Sequence, residues 1–151
     1  MQRPQSPFSI LIVEDEVLLV MDLEGMVEDA GHSVVGEAAS MSEFKALPES
    51  LMPDVAFVDI QLADNSNGLD VCKSLKEQWP QTAVVFVTAN PMMIPEDFVG
   101  AHGVIPKPFS RSGLMSAMKF IEQGISDPPP KMGMPHSSIA SPAIARQWME
   151  A

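Results

Sequence analysis

Residues 9–16 read Ser-Ile-Leu-Ile-Val-Glu-Asp-Glu, an apolar run that ends in three carboxylates. Such a run is typical of a strand buried on both faces of a parallel sheet. The same pattern recurs where residues 55–58 lead into Asp59, residues 83–87 into Thr88, and residues 104–105, past Pro106, into Lys107. In an open α/β sheet, ligands bind outside the carboxyl ends of the strands. We therefore expect one pocket to collect the polar residues at these ends, namely Glu14, Asp15, Asp59, Thr88 and Lys107.

Helical patterns alternate with these strands. Apolar residues recur at helical spacing in the first and last of these segments, and a further strand is expected at residues 33–38. The order is strand then helix, five times, which predicts an α/β fold with a five-stranded parallel sheet and helices on both faces. The helices are expected at residues 16–30, 42–47 with Ser42 as a possible N-cap, 69–79 and 110–123.

The segment between the fourth and fifth strands, residues 90–101, has an unusual composition for a helix. Asn90 could cap a helix and Pro91 suits its first position. Pro95, however, would lack an amide donor within the same helix. The fourth helix is therefore expected to be shortened or distorted.

The length of 151 residues and the 46% apolar content suit one domain with a core of its own. We expect a flexible leader at residues 1–7 and a domain at residues 8–124. Residues 125–151 contain five prolines and no strand pattern. They are expected to form a Pro-rich tail, either disordered or with a short terminal helix that starts near Ser141.

The net charge of −11 is concentrated in the first part of the chain, where residues 1–64 hold 13 acidic and 2 basic residues. Such a surface repels nucleic acid and acidic lipid, so neither is expected as a direct partner. No apolar stretch is long enough to span a membrane, and no secretory signal is visible. The single Cys72 cannot form an internal disulfide and is read as a small core residue. These features favour the cytoplasm.

The predicted pocket has an excess of negative charge. Two carboxylates about 5 Å apart repel by roughly 3 kcal/mol at an effective dielectric constant of 20. A cation relieves this repulsion, and hard oxygen ligands suit Mg²⁺, which is often shared with a phosphate group. Lys107 and Thr88 would then be aimed at phosphoryl oxygens. The central Asp59 is the natural nucleophile, because a carboxylate can accept a phosphoryl group as an acyl phosphate.

Four short motifs, in order, resemble those of the response-regulator receiver domains of two-component signalling. They are Val13-Glu14-Asp15-Glu16, Val58-Asp59-Ile60-Gln61-Leu62, Val87-Thr88-Ala89 and Lys107-Pro108-Phe109. The resemblance covers roughly residues 8–124. It implies a flavodoxin-like strand order of 2-1-3-4-5 and a cis bond between Lys107 and Pro108.

The resemblance also implies a role for each residue of the pocket. Asp59 would be phosphorylated by a histidine kinase or phosphotransfer protein, and Thr88 and Lys107 would contact the phosphate. Asp15, Asp59 and the backbone carbonyl of Gln61 would hold Mg²⁺, with Glu14 acting through water. Such a protein catalyses only its own phosphorylation and dephosphorylation, and it signals to a downstream protein that the sequence does not identify.

Two departures from the family pattern concern the output of the signal. Receivers usually carry Tyr or Phe three residues before the lysine, where this chain has Val104. The segment from Thr88 to Lys107 is also shorter than usual by about one helical turn. No output domain is expected after residue 124, so the sequence is interpreted as a stand-alone receiver that signals through protein contacts.

Two alternatives use the same fold. One is a receiver-like binding module that is not phosphorylated. The other is an enzyme or cofactor protein, but a flavin-binding relative would need a Ser/Thr/Gly phosphate loop after the first strand. A haloacid dehalogenase-type phosphohydrolase would need Asp-x-Asp where Glu14-Asp15-Glu16 stands, and no Gly-x-Gly-x-x-Gly dinucleotide motif occurs.

Residues 17–21 of the first helix, Val-Leu-Leu-Val-Met, are consecutive apolar residues. Successive helical residues point about 100° apart, so some of them must face water. This is either ordinary scattered exposure or a contact patch beside the acidic pocket, where receivers commonly dock on kinase helices.

Overall fold

A computed structural model describes residues 7–126 and 139–140. The strands are β1 (Ser9–Val13), β2 (Ser33–Ala38), β3 (Val55–Val58), β4 (Ala83–Thr88), β5 (Gly103–Pro106) and β6 (Ile139–Ala140). The α-helices are α1 (Val17–Asp29), α2 (Met41–Lys45), α3 (Gly68–Gln78) and α4 (Arg111–Ser126). The predicted alternation of strands and helices is confirmed.

The first five strands are parallel and lie in the order β2-β1-β3-β4-β5, as expected from the resemblance. The tail adds a short antiparallel strand, β6, on the outer edge of β5. No strand was predicted in the tail, because the two residues of β6 are too few to show a period. The expected short helix after Ser141 and residues 1–6 of the leader lie outside the described residues.

Two apolar layers cover the two faces of the sheet. On one face, Leu11, Val58 and Phe86 pack with residues of α2 and α3 such as Phe44 and Leu75. On the other face, residues of β1, β3, β4 and β5 pack with α1 and α4. Strands covered on both faces read as continuous apolar runs, which is the pattern seen in the sequence. Cys72 is buried in the first layer, as predicted.

The expected fourth helix, between β4 and β5, is not an α-helix. The segment holds two single turns of 3-10 helix instead, Pro91–Met93 and Phe98–Gly100. Pro91 occupies the first turn, as predicted, but the Asn90 side chain does not cap it. Phe98 and Val99 have φ values of +57° and +52°. A β-branched residue such as Val99 rarely adopts this left-handed conformation, so the segment is strained.

The N-cap of α2 is Ser40, whose hydroxyl accepts a hydrogen bond from the Glu43 amide, and not Ser42 as the sequence indicated. The two serines are close enough in sequence that propensity alone does not separate them. Within the described part of the chain, no helix is both long and apolar enough to cross a membrane.

Candidate functional site

The strand ends bring Glu14, Asp59 and Lys107 into direct contact. The Lys107 Nζ lies 2.8 Å from Glu14 Oε1 and 3.0 Å from Asp59 Oδ2, so one ammonium bridges two carboxylates. Both carboxylates are buried, and only 14% of the lysine side chain is exposed. Glu16, which the sequence analysis did not assign to the site, places a carboxylate oxygen 3.9 Å from the same ammonium. The feature of the sequence that could have identified Glu16 as part of the site is its position directly after the Glu14-Asp15 pair.

Each of the two buried carboxylates also accepts backbone hydrogen bonds. Glu14 Oε2 accepts from the amides of Asp15 and Glu16, at 3.0 and 3.1 Å. Asp59 Oδ1 accepts from the Ile60 amide at 2.7 Å. These bonds hold the carboxylates at the carboxyl ends of the strands, because the amides belong to the turns that follow the strands. The site is thus fixed by the strand ends themselves.

The negative charge in the site exceeds the positive charge. Carboxylate oxygens of Glu14, Asp15 and Asp59 all lie within 4.8 Å of one another, and Asp15 is the exposed member. Burial, followed by the charge of Asp59, raises the pKa of Glu14 to about 7 even though hydrogen bonds from Lys107 and the backbone act in the opposite direction. Burial alone would lower the pKa of Lys107, but hydrogen bonds and charges from Glu14 and Asp59 together raise it.

This donor set fits a hard divalent cation. Three carboxylates supply oxygen ligands, one of them open to solvent, and a single ammonium does not neutralise them. Mg²⁺ binds through a few carboxylates and retains several water molecules, which an exposed Asp15 allows. The predicted clustering of Glu14, Asp15 and Asp59 is therefore present in the structure.

Gln61, whose carbonyl the resemblance implied as a ligand, lies two residues beyond Asp59. Its backbone forms an isolated antiparallel bridge with Asn67, which closes the Asp/Asn/Ser-rich loop between β3 and α3. The side chain of Asn67 caps α3 by accepting a hydrogen bond from the Leu69 amide at 2.7 Å. The bridge holds the backbone of Gln61 in place, two residues after Asp59.

Gly68 packs directly against the backbone of Asp59. This contact was not predicted from the sequence. A Cβ atom at Gly68 would lie 1.9 Å from the carbonyl oxygen of Asp59 and 2.8 Å from the Cα of Ile60. The Gly68 amide also donates to the Ile60 carbonyl at 2.7 Å. The first residue of α3 therefore supports the strand end that carries Asp59, and only glycine fits there.

Thr88 is fully buried at the end of β4, beside the strand that carries Lys107. Its carbonyl accepts a hydrogen bond from the Lys107 amide at 2.8 Å. Its hydroxyl accepts one from the Asn90 amide at 3.1 Å. Thr88 thus lies at the expected strand end, and its hydroxyl is engaged with the segment that follows β4.

The apolar run of α1 divides as helical geometry requires. Val17, Leu18 and Met21 are exposed by 71%, 78% and 60%, whereas Val20 is buried. Because α1 starts just after Glu16, the exposed residues lie at the carboxylate end of the molecule. We call Val17, Leu18 and Met21 the α1 patch.

Comparisons with known proteins find similar sequences and similar folds. The family model described as "Response regulator receiver domain" matches residues 10–119. Among curated proteins, the phyllosphere-induced regulator PhyR of Methylorubrum extorquens is 47% identical over 83 residues, covering 54% of this chain and 31% of that protein. The transcriptional regulatory protein PdtaR of Mycobacterium tuberculosis is 31% identical, covering 75% of this chain and 56% of that protein. The chain thus spans between about a third and about half of these relatives.

Solved structures of similar proteins share the fold. The receiver domain of PhyR from Erythrobacter litoralis superposes with a TM-score of 0.68 at 28% identity, covering 81% of this chain and 95% of that domain. The response regulator PhyR from Brucella abortus gives a TM-score of 0.60 at 37% identity, covering 71% of this chain and 44% of that protein.

Proposed function

Because this chain belongs to the response regulator receiver domain family, we propose that it accepts a phosphoryl group on Asp59 in a Mg²⁺-dependent reaction. The donor would be a histidine kinase or phosphotransfer protein, the compartment the cytoplasm, and the output a contact with another protein. The observation that carries the proposal is the bridge from Lys107 to Glu14 and Asp59 beside Asp15. The domain boundary at residues 8–124 is part of this proposal.

The chemistry assigns a role to each side chain. A carboxylate oxygen of Asp59 attacks the phosphorus atom, a P–O bond forms, and the P–N bond to the donor histidine breaks. Lys107, already 3.0 Å from Asp59, is placed to neutralise a phosphoryl oxygen. Thr88 would donate its hydroxyl to another. Bound Mg²⁺, held by Asp15, Asp59 and the Gln61 carbonyl with Glu14 nearby, would supply positive charge to the transferring group. The protein would turn over no other substrate.

The proposal is tested by mass spectrometry of the intact protein after incubation with Mg²⁺ and a small phosphodonor. We expect one added phosphoryl group per chain, located on the peptide that contains Asp59. No phosphoryl group should be added when EDTA removes Mg²⁺ before the donor is supplied. A protein that remains unmodified at saturating donor and Mg²⁺ would favour the alternative of a receiver-like binding module.

Mg²⁺ affinity should depend on the clustered carboxylates. We expect Asp15→Ala and Asp59→Ala to weaken Mg²⁺ binding by about tenfold or more, since each removes a charged ligand worth at least about 1.4 kcal/mol. Titration calorimetry measures the effect. Glu28→Ala is the control, because Glu28 is exposed on α1. Glu24 is less suitable as a control, because it is half-buried and interacts with Glu37. Equal affinity in all three variants would contradict the site.

The α1 patch is proposed as the contact for the phosphodonor protein. Leu18→Asp places a charge in its centre, so we expect transfer from a histidine kinase or phosphotransfer protein to slow by about tenfold or more. Transfer from a small phosphodonor should not change. Met52→Asp is the control: Met52 is 67% exposed and precedes β3, at the opposite end of the sheet. Equal slowing with both donors would indicate misfolding instead of a lost contact.

The segment at residues 90–100 is proposed as the part that reads the phosphoryl group. Thr88 links it to the site, because its hydroxyl accepts a hydrogen bond from the Asn90 amide and could donate its own hydrogen to phosphate, so that movement of Thr88 toward the phosphate would strain the bond to Asn90. Val99 holds a strained conformation, and its carbonyl accepts a weak hydrogen bond from the Cys72 thiol at 3.6 Å. Met92 is 96% exposed and so does not plug the core, whereas Ile94 packs against it.

Hydrogen exchange tests this readout. With Mg²⁺ and beryllofluoride, a phosphoryl mimic, we expect amides in residues 90–100 to change in protection by about tenfold, because movement of Thr88 toward the mimic would weaken the hydrogen bond from the Asn90 amide to the Thr88 hydroxyl. Thr88→Val is the control, since it keeps the shape of the side chain but has no hydroxyl. Changes confined to α4 would move the output surface to that helix and the tail.

A further inference from the structure

The outer edge of β5 is paired with a segment from the tail of the chain. Gly103 lies opposite Ala140 and Val104 opposite Ile139 in an antiparallel arrangement. Residues 127–138 separate β6 from the end of α4 in the sequence. The sheet therefore ends in two residues that come from outside the span matched by the family, which is residues 10–119.

The outer edge of β5 has the features of an edge to which another strand can pair. Edge strands expose unpaired amide and carbonyl groups, and proteins usually protect them with charges or a cover. The opposite edge strand, β2, carries the exposed acidic residue Glu37. On β5, by contrast, Gly103, Val104 and Ile105 are uncharged and buried. The β5 edge thus has no charged side chain of its own to repel an incoming strand.

The direction of the backbone groups identifies which residue of β5 makes the pairing. The Lys107 amide donates to the Thr88 carbonyl on β4 at 2.8 Å. Amides of successive residues in a strand point to opposite edges, so Ile105 also faces β4, and both the amide and the carbonyl of Val104 face outward, toward Ile139. In an antiparallel pair, residues so placed exchange two hydrogen bonds.

The paired edge belongs to the strand that leads into the site. Lys107 follows β5 directly and bridges Glu14 and Asp59. Val104, which stands where receivers usually carry an aromatic residue, is the residue opposite Ile139. A segment paired here therefore lies on the strand whose end holds the lysine of the site.

We propose that the outer edge of β5 is a strand-pairing surface whose resident occupant is the chain's own segment 139–140, and that this segment blocks the edge against an extended segment of a partner protein. The partner segment would imitate β6, with a small residue opposite Gly103 and an apolar residue opposite Val104. The tail is then an intramolecular inhibitor of the contact. This inference depends on backbone pairing alone and does not require phosphorylation of Asp59.

The test compares three full-length proteins: wild type, Ile139→Pro and Met132→Pro. Proline at residue 139 removes the amide from which the Val104 carbonyl would accept a hydrogen bond, while proline at residue 132 changes the tail outside β6. In hydrogen exchange followed by NMR, the Val104 amide should exchange at least about tenfold faster in Ile139→Pro than in the other two proteins. The Ile105 amide, which faces β4, should keep its wild-type rate and so report an intact sheet.

The second measurement uses a fluorescently labelled peptide of residues 135–143 as the probe. Ile139→Pro should bind it at least about tenfold more tightly than wild type or Met132→Pro, because only in this variant is the β5 edge free. Equal Val104 exchange in all three proteins, or equal peptide binding, would overturn the proposal. Self-association of Ile139→Pro without peptide binding, measured by sedimentation, would assign the edge to a second copy of the chain and overturn its assignment to a partner segment.

Discussion

Asp59→Asn should abolish uptake of a phosphoryl group from a small phosphodonor in Mg²⁺, to below about 1% of wild type. The amide oxygen of asparagine lacks the charge that makes a carboxylate a nucleophile, so no acyl phosphate can form. The fold should survive, because an amide oxygen can still accept the hydrogen bond that the Ile60 amide donates to Oδ1. Glu14 and Lys107 also remain paired. Intact mass spectrometry measures uptake, and circular dichroism verifies folding.

Asp64→Asn is the matched control for this experiment. Asp64 is an exposed carboxylate in the loop after β3, and its φ of +59° is one that asparagine tolerates well. It should take up phosphate at the wild-type rate. If Asp59→Asn were modified as fast as wild type, the acceptor would be another residue, which peptide mapping would identify.

The strand-end residues of the site could be predicted because burial determines where strands lie. Runs such as residues 10–13 and 55–58 are buried on both faces, so their composition alone identified the strands. Once the strands were known, the geometry of a parallel sheet placed Asp59 and Lys107 at one edge. Their contact at 3.0 Å, over 48 residues of sequence, follows from that topology.

Features that depend on two or three residues in space could not be predicted. β6 has only two residues, and the contact between Glu24 and Glu37 joins a helix to a strand. The left-handed Phe98 and Val99 contradict the preferences of their residue types, so propensity indicates the wrong conformation. Pro91 and Pro95 did indicate that a regular helix was excluded, since the missing amide of a proline is a local property.

Gly68 shows the same limit at the centre of the site. The sequence places it at the end of a polar loop, where glycine is common and has no special meaning. Its importance comes from the backbone of Asp59, nine residues earlier, which approaches so closely that a side chain has no space. A close approach of two backbones leaves no periodic signal in a single sequence.

We therefore expect Gly68→Ala to destabilise the protein by about 1–3 kcal/mol, although alanine is the better helix former by up to about 1 kcal/mol. The new Cβ atom would lie 1.9 Å from the Asp59 carbonyl oxygen. Cβ atoms in proteins essentially never approach another heavy atom closer than 3.0 Å. Both neighbours are backbone, so the start of α3 or the end of β3 must move by about 1 Å. Urea denaturation measures the free energy of unfolding.

Gly25→Ala separates the clash from helix propensity. Gly25 lies inside α1, and a Cβ atom there would meet nothing within 4 Å. The same substitution should therefore stabilise the protein by about 0.5–1 kcal/mol, opposite in sign to its effect at Gly68. If Gly68→Ala also stabilised the protein, the backbone of α3 would not support Asp59. If it destabilised the protein as expected, the displaced strand end should also reduce phosphoryl uptake, because Asp59 would no longer lie at hydrogen-bonding distance from Lys107.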